Sequence, residues 1–220
     1  MRLASVERFE ELLLAVPELV AGLRAEDALA AGPIDEWLAE VERQLSALRL
    51  PASATFATLR GRLWSVGRGL RLPGLQLTRA PTARNWRRVG TSAILDEATQ
   101  TLSALLAPSR AAIADVSDAL RQAVELGRIR ERVGGPALPW HDPEALWGAL
   151  LTDQDLTVFV TRAASVLGEP DARTLLARAA AQEPEAQPPA SGAAGRPEVE
   201  LPAGAAEEDE PALELPPARA

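Results

Sequence analysis

The chain has 220 residues, a net charge of −8 at neutral pH and no cysteine. The absence of cysteine excludes disulfides, thiolate metal sites and cysteine nucleophiles. Residues 183–220 contain eight prolines and nine acidic side chains, and such a segment buries too little apolar surface to offset the entropy of ordering it. The composition therefore predicts a helical domain over residues 1–182, followed by a disordered, acidic, Pro/Ala-rich tail.

The N-terminal segment does not have the composition of a leader. Glu7, Glu10 and Glu11 interrupt the apolar run that a signal peptide needs. No stretch of about 18 apolar residues occurs, so no transmembrane helix is expected and the predicted compartment is the cytoplasm. All 23 basic residues are arginine. This usage is typical of a GC-rich, bacterial-type genome, in which arginine stands where another protein carries lysine.

The first half of the chain shows the apolar period of amphipathic helices. Apolar residues recur through 5–24, where Pro17 predicts a kink or two short helices. After a break at Gly32-Pro33, one helix is expected over 35–50. Another is expected over 55–72, although its three glycines weaken it. Residues 73–90, which include two prolines and show no sustained period, are predicted to form a loop.

The second half is also predicted to be helical. Thr91 or Ser92 is expected to cap the first of its helices, with a turn or kink at Pro108-Ser109. A linker is expected over 134–140, and Gly168 is expected to end one helix before the last one begins. The predicted helical stretches are, in chain order, 92–107, 110–133, 142–151, 152–167 and 170–182. The predicted fold class is all-α, an irregular helical bundle of about six to eight helices.

No catalytic or metal-binding constellation stands out in the sequence. His141 is the only histidine, and its neighbour Asp142 is explained as a helix cap, so His141 is predicted to be an exposed linker residue rather than a general base. Asp153 and Asp155 are the nearest candidates for metal ligands, but acids are favoured at a helix start anyway. Motifs for a nucleophile elbow, a phosphate loop or a zinc helix are lacking. We therefore predict a non-catalytic protein with no metal and no cofactor.

One segment differs from the rest in charge. Residues 51–95, here called the basic segment, contain eight arginines and no acidic residue, and blocks of one sign are typical of interaction surfaces. If residues 55–72 are helical, Arg60 and Arg68 lie one turn to either side of Trp64 and can reach its ring. Trp86 likewise lies among arginines, and indoles and guanidinium planes stack on one another. The predicted partner-binding residues are Arg60, Trp64, Arg68, Arg71, Arg84, Trp86, Arg87 and Arg88.

Three kinds of partner fit such a surface. The preferred hypothesis is an adaptor or accessory subunit that binds an acidic surface of another protein, because Trp and Arg are enriched in binding hot spots. The first alternative is nucleic-acid binding, with Trp64 and Trp86 as stacking platforms for bases. The second is peripheral binding to an anionic membrane. The overall acidity of the chain disfavours nucleic acid, because phosphates would repel it at long range.

A fourth interpretation gives the basic segment no partner. Residues 1–50, 96–182 and 183–220 carry net charges of −5, −4 and −7, so acids elsewhere in the chain, the tail included, would neutralise the eight arginines. The adaptor hypothesis therefore depends on guanidinium groups that face solvent together and are unmatched by carboxylates. The sequence does not indicate the oligomeric state or which protein is the partner.

Overall fold

The computed structural model describes residues 1–25, 31–70 and 82–182 and confirms the all-α class. These residues form eight helices and no strand. The chain divides into two units, Met1–Glu183 and Pro184–Ala220, and every described residue belongs to the first. The predicted tail lies outside the described residues. The helices are α1 (Leu3–Leu14), α2 (Val16–Arg24), α3 (Ala31–Ala47), α4 (Ala52–Gly67), α5 (Ala83–Arg132), α6 (Pro143–Thr152), α7 (Thr157–Leu167) and α8 (Glu169–Ala181).

The first hydrophobic core lies between α1–α4 and the N-terminal half of α5. Trp37 of α3 joins three of these helices. Its ring meets Phe56 of α4 edge-on, with ring centroids 6.5 Å apart, and its indole N–H donates to the Leu12 carbonyl of α1 at 2.7 Å. The apolar stripe predicted on residues 35–50 is therefore the inner face of α3.

Two prolines mark helix starts in this half. Pro17 lies in the first turn of α2, which confirms the prediction of two short helices around it. The predicted break at Gly32-Pro33 is wrong, because α3 already begins at Ala31. Proline is tolerated in the first turn of a helix, where its missing N–H has no intrahelical partner to lose.

The predicted loop over 73–90 is wrong for its last part, because α5 begins at Ala83. Thr82, rather than Thr91 or Ser92, caps this helix: its hydroxyl accepts the Asn85 N–H at 3.2 Å. Thr91 is instead buried inside the helix. The core-facing stripe of α5 extends back to Trp86, and burial of that ring favours the earlier start.

Helix α5 runs through Pro108 without ending. Of the turn or kink predicted there, the turn is therefore wrong, and the kink stays a prediction. The 50 residues of α5 correspond to about 75 Å at the usual rise per residue. The helix is buried on both sides of the proline, with Leu102 and Leu106 before it and Val116 and Leu120 after it. Within residues 1–25, 31–70 and 82–182, no helix is both long enough and apolar enough to cross a membrane.

The second hydrophobic core lies between the C-terminal half of α5 and α6–α8. Asp142 caps α6 as predicted, and its carboxylate accepts the N–H groups of Glu144 and Ala145 at 3.0 and 3.1 Å. Gly168 separates α7 from α8 at a φ of 86°, in the left-handed region that glycine enters without strain. Helix α1 contacts both cores, because Leu3 packs in the second and Phe9 in the first.

Asp153 fixes the connection between α6 and α7. Its carboxylate accepts the N–H groups of Asp155 and Leu156 at 2.9 and 3.0 Å and pairs with Arg130 of α5 at 2.9 Å. Partial burial opposes ionisation, but these hydrogen bonds outweigh it and hold the pKa of Asp153 below its ordinary value. The carboxylate therefore stabilises the fold chiefly in its ionised form.

We expect Asp153→Ala to lower the free energy of unfolding by about 1 kcal/mol at neutral pH, the usual net contribution of hydrogen bonds that a folded chain loses. Because the folded pKa is lowered, this contribution is present above the unfolded pKa of about 3.9 and is lost as pH falls through the folded pKa. Urea unfolding at pH 7 and below pH 3 measures both values. Asp155→Ala is the control, because that side chain is more exposed. If the free energies of unfolding of Asp153→Ala and wild type still differed below pH 3, the stabilising role of the ionised carboxylate would be contradicted.

Candidate interaction surface

Arg60 does not face solvent as an unmatched charge. Its Nε donates to Asp35 Oδ1 at 3.1 Å and its Nη1 to Glu42 Oε2 at 3.0 Å, and these two hydrogen bonds raise the pKa of Arg60. Both acids come from α3, which packs beside α4. The prediction that Arg60 reaches the Trp64 ring is therefore wrong, because neighbouring carboxylates hold the guanidinium against α3.

Arg62 is also neutralised within the chain. Its Nη1 lies 2.7 Å from Glu97 Oε2 of α5, on the other flank of α4. The basic segment has no acid in its own sequence, but acids from the helices on either side reach it in space. Internal neutralisation, which was one interpretation of the sequence, therefore applies to Arg60 and Arg62.

Trp64 and Arg68 remain at the surface of α4. The Trp64 residue is 71% exposed, and the Arg68 Cζ lies 5.2 Å from the centroid of its ring, a distance typical of a cation–π contact. The other four tryptophans of the chain, Trp37, Trp86, Trp140 and Trp147, are buried or half-buried. Trp64 is therefore the most exposed of the five tryptophans of this protein.

Trp86 is a core residue rather than a stacking platform. It is 7% exposed, packs in the first core and donates its indole N–H to the Leu70 carbonyl at 3.1 Å. The predicted placement of Trp86 on the binding surface is corrected by this burial. Nucleic-acid binding loses one of its two proposed stacking platforms as a result.

Three further predicted residues lie in the first turns of α5. Arg87 is exposed, and Arg88 donates to the Asn85 side chain at 3.1 Å; Arg84 and Arg88 both have interaction partners within the chain. The first turn of α5 holds no acid, although the positive end of a helix dipole favours acids over arginines. Arg71 lies outside the described residues, so its predicted role stays a prediction.

The hydrogen bond from Trp86 to Leu70 joins the start of α5 to the residues that follow α4. Arg68 and the α5 arginines therefore lie near the same helix ends. Leu70 itself is 58% exposed. We call Trp64, Arg68 and Leu70 the Trp64 surface.

The sequence does not predict Leu70 as a surface residue, because Leu70 follows Leu63 and Val66 at the apolar spacing of a helix. Helix α4 ends at Gly67, and Gly69 then adopts a φ of 83°. The chain therefore leaves the helix before Leu70 can reach the core. The glycine at 69 was the available signal, since glycine at a positive φ commonly terminates a helix.

The described residues contain no group of three or more acidic or histidine side chains that could hold a metal ion. His141 is exposed in the linker before α6, while the carboxylate of Asp142 points to the helix that it caps. Comparison with known protein families, with characterised proteins and with solved structures finds no match to this chain. Its function must therefore be inferred from its own geometry.

Proposed function

We propose that this protein is a non-catalytic adaptor or accessory subunit that binds an acidic surface of another protein through the Trp64 surface. The observation that carries the proposal is the exposure of Trp64, 71% of whose surface meets solvent. An exposed indole gives up the burial that normally accompanies so large an apolar ring. Tryptophan and arginine are also the residues most enriched in binding hot spots.

The charges around the ring favour an acidic partner. Arg68 contacts the indole, and no described acid forms an ion pair with it. A partner carboxylate would find a guanidinium there that is already oriented by the ring. Arg87, exposed at the start of α5, adds positive charge near the same helix ends.

The test is capture from a native lysate by the tagged protein, with and without nuclease, followed by measurement of Kd for the purified partner. Trp64→Ala should weaken binding by roughly 30-fold, which corresponds to the hot-spot threshold of about 2 kcal/mol, and Arg68→Glu should weaken it further at low salt. Neither variant should unfold, because both side chains are exposed.

Matched controls separate this surface from general effects of charge and apolarity. Leu14→Ala removes another apolar side chain of similar exposure, and Arg132→Glu reverses another charge at a helix C-terminal end. Both should bind like wild type. Capture that nuclease abolishes would favour the nucleic-acid alternative, and sedimentation with anionic vesicles would favour the membrane alternative. Equal binding by wild type and Trp64→Ala would contradict the proposal.

A further inference from the structure

The C-terminal part of α5 carries a stripe of large apolar side chains that faces solvent. Leu126, Ile129 and Val133 are 43%, 41% and 79% exposed. They follow one another at steps of three and four residues, so they lie on one side of the helix, whereas Val124 and Gly127, on the other side, are buried. Single exposed apolar side chains are ordinary, but a contiguous group on one element is typical of an interaction surface.

The stripe belongs to a longer series along the same helix. Steps of three and four are the spacing of the a and d positions through which two helices pack in a coiled coil. The next position towards the N-terminus is Asp115, which pairs with Arg162 of α7, so the series ends before it. Its members are Ala119, Gln122, Leu126, Ile129 and Val133.

Several charged residues beside the stripe are neutralised within the chain. Arg130 pairs with two acids of the connection between α6 and α7, and Asp118 pairs with Arg121. Glu125 and Arg132 differ from them: both are exposed, and neither forms an ion pair within the part of the chain that the structure describes. Because they are seven residues apart, they lie along the same edge of the stripe, one acidic and one basic.

An edge of this kind is complementary to a reversed copy of itself. When two α5 helices pack antiparallel about a two-fold axis, Leu126 of each copy lies against Ile129 of the other, and each Glu125 faces the Arg132 of the other copy. In a parallel pair, Arg132 would face position 137 of the other copy, which lies beyond the end of α5. We infer that a second copy of this chain covers the stripe, with the two α5 helices antiparallel.

The length of the stripe sets the strength of this dimer. The series over residues 119–133 corresponds to about 22 Å of helix, with three large apolar side chains on each copy. Such an interface is smaller than the standard size of about 1,600 Å², so we expect a Kd on the order of tens of micromolar. The inference goes beyond the proposed function, because the stripe shares no residue with the Trp64 surface.

The test measures self-association of the full chain by sedimentation velocity, from about tenfold below to about tenfold above the expected Kd. Leu126→Glu places an unpaired carboxylate in the apolar contact and should weaken dimerisation by at least about tenfold. Leu48→Glu makes the same change after the end of α3 at a similar exposure, and it should dimerise like wild type. Both side chains are exposed, so far-UV circular dichroism should show that both variants fold.

Charge reversal identifies the occupant and its direction. Glu125→Arg and Arg132→Glu should each weaken dimerisation by about tenfold, because each makes both symmetry-related charge pairs repulsive. An equimolar mixture of the two variants should associate as tightly as wild type, since the arginines of one copy then face the acids of the other.

Each contrary result is specific. A wild-type chain that stays monomeric at every concentration, or Leu126→Glu that dimerises as tightly as wild type, would overturn the second copy as the occupant of the stripe. Single reversals that dimerise like wild type, or a mixture that does not recover, would overturn the antiparallel arrangement. Capture of another protein that Leu126→Glu abolishes, with the wild-type chain monomeric, would assign the stripe to that protein instead.

Discussion

Replacing Trp86 with alanine should lower the free energy of unfolding by about 3–5 kcal/mol, the cost of removing a large buried aromatic side chain. The Trp86 ring is a member of the first core and is only 7% exposed. The substitution also removes the indole N–H that donates to the Leu70 carbonyl at 3.1 Å. Urea unfolding followed by far-UV circular dichroism measures the loss, because that signal does not depend on the fluorescence of the deleted indole.

Trp64→Ala is the matched control for this experiment. It makes the same chemical change on an exposed ring, so its free energy of unfolding should stay within about 0.5 kcal/mol of wild type. The two variants should therefore separate stability from binding, with Trp86→Ala losing stability and Trp64→Ala losing affinity. A Trp86→Ala protein with wild-type stability and reduced affinity would return Trp86 to the binding surface.

The contrast between these two tryptophans shows where sequence reasoning succeeds in the basic segment. The helical period places Trp64 outside the apolar stripe of α4, and the structure agrees. The same period would have placed Trp86 in the core, because Trp86, Gly90 and Ile94 follow one another at steps of four along a buried stripe. Pro81 and Gly90 suggested a loop instead, and the cap at Thr82 was overlooked.

The ion pairs of Arg60 and Arg62 were beyond the reach of the sequence. Asp35 and Glu42 are seven residues apart, so the helical period predicts that they lie on one face of α3. Which helix packs against that face depends on tertiary packing, and the same is true of Glu97 on α5. A count of charges along the chain therefore overstated how much of the basic segment is available to a partner.

At Pro108 a strong local signal for a turn gives way to packing. Proline inside a helix lacks the N–H that bonds to the carbonyl four residues earlier and crowds that carbonyl. Leu102 and Leu106 lie in the first core, while Val116 and Leu120 lie in the second. Burial on both sides offsets the local cost, so one helix links the two cores.

This continuity predicts that damage to one core will be felt in the other. Leu120→Ala should lower the free energy of unfolding by about 2–5 kcal/mol, because the side chain is completely buried in the second core. Helix α1 adds a second link, with Leu3 in one core and Phe9 in the other. We therefore expect a single unfolding transition, in which the slowest-exchanging amides of α3 and α4 lose protection together with those of α6–α8.

Leu126→Ala is the control for this second prediction, since it deletes the same atoms from the same helix at a position exposed to solvent. Leu126→Ala should lower the free energy of unfolding by well under half as much as Leu120→Ala does. Hydrogen exchange resolved by segment, combined with urea unfolding, distinguishes the possible results. Faster exchange confined to α6–α8 in Leu120→Ala, or two separate transitions, would mean that the proline divides α5 into independently unfolding halves. Equal loss of amide protection in both cores would mean that the two cores unfold together through α5. A partner bound at α4 would then stabilise the second core as well as the first.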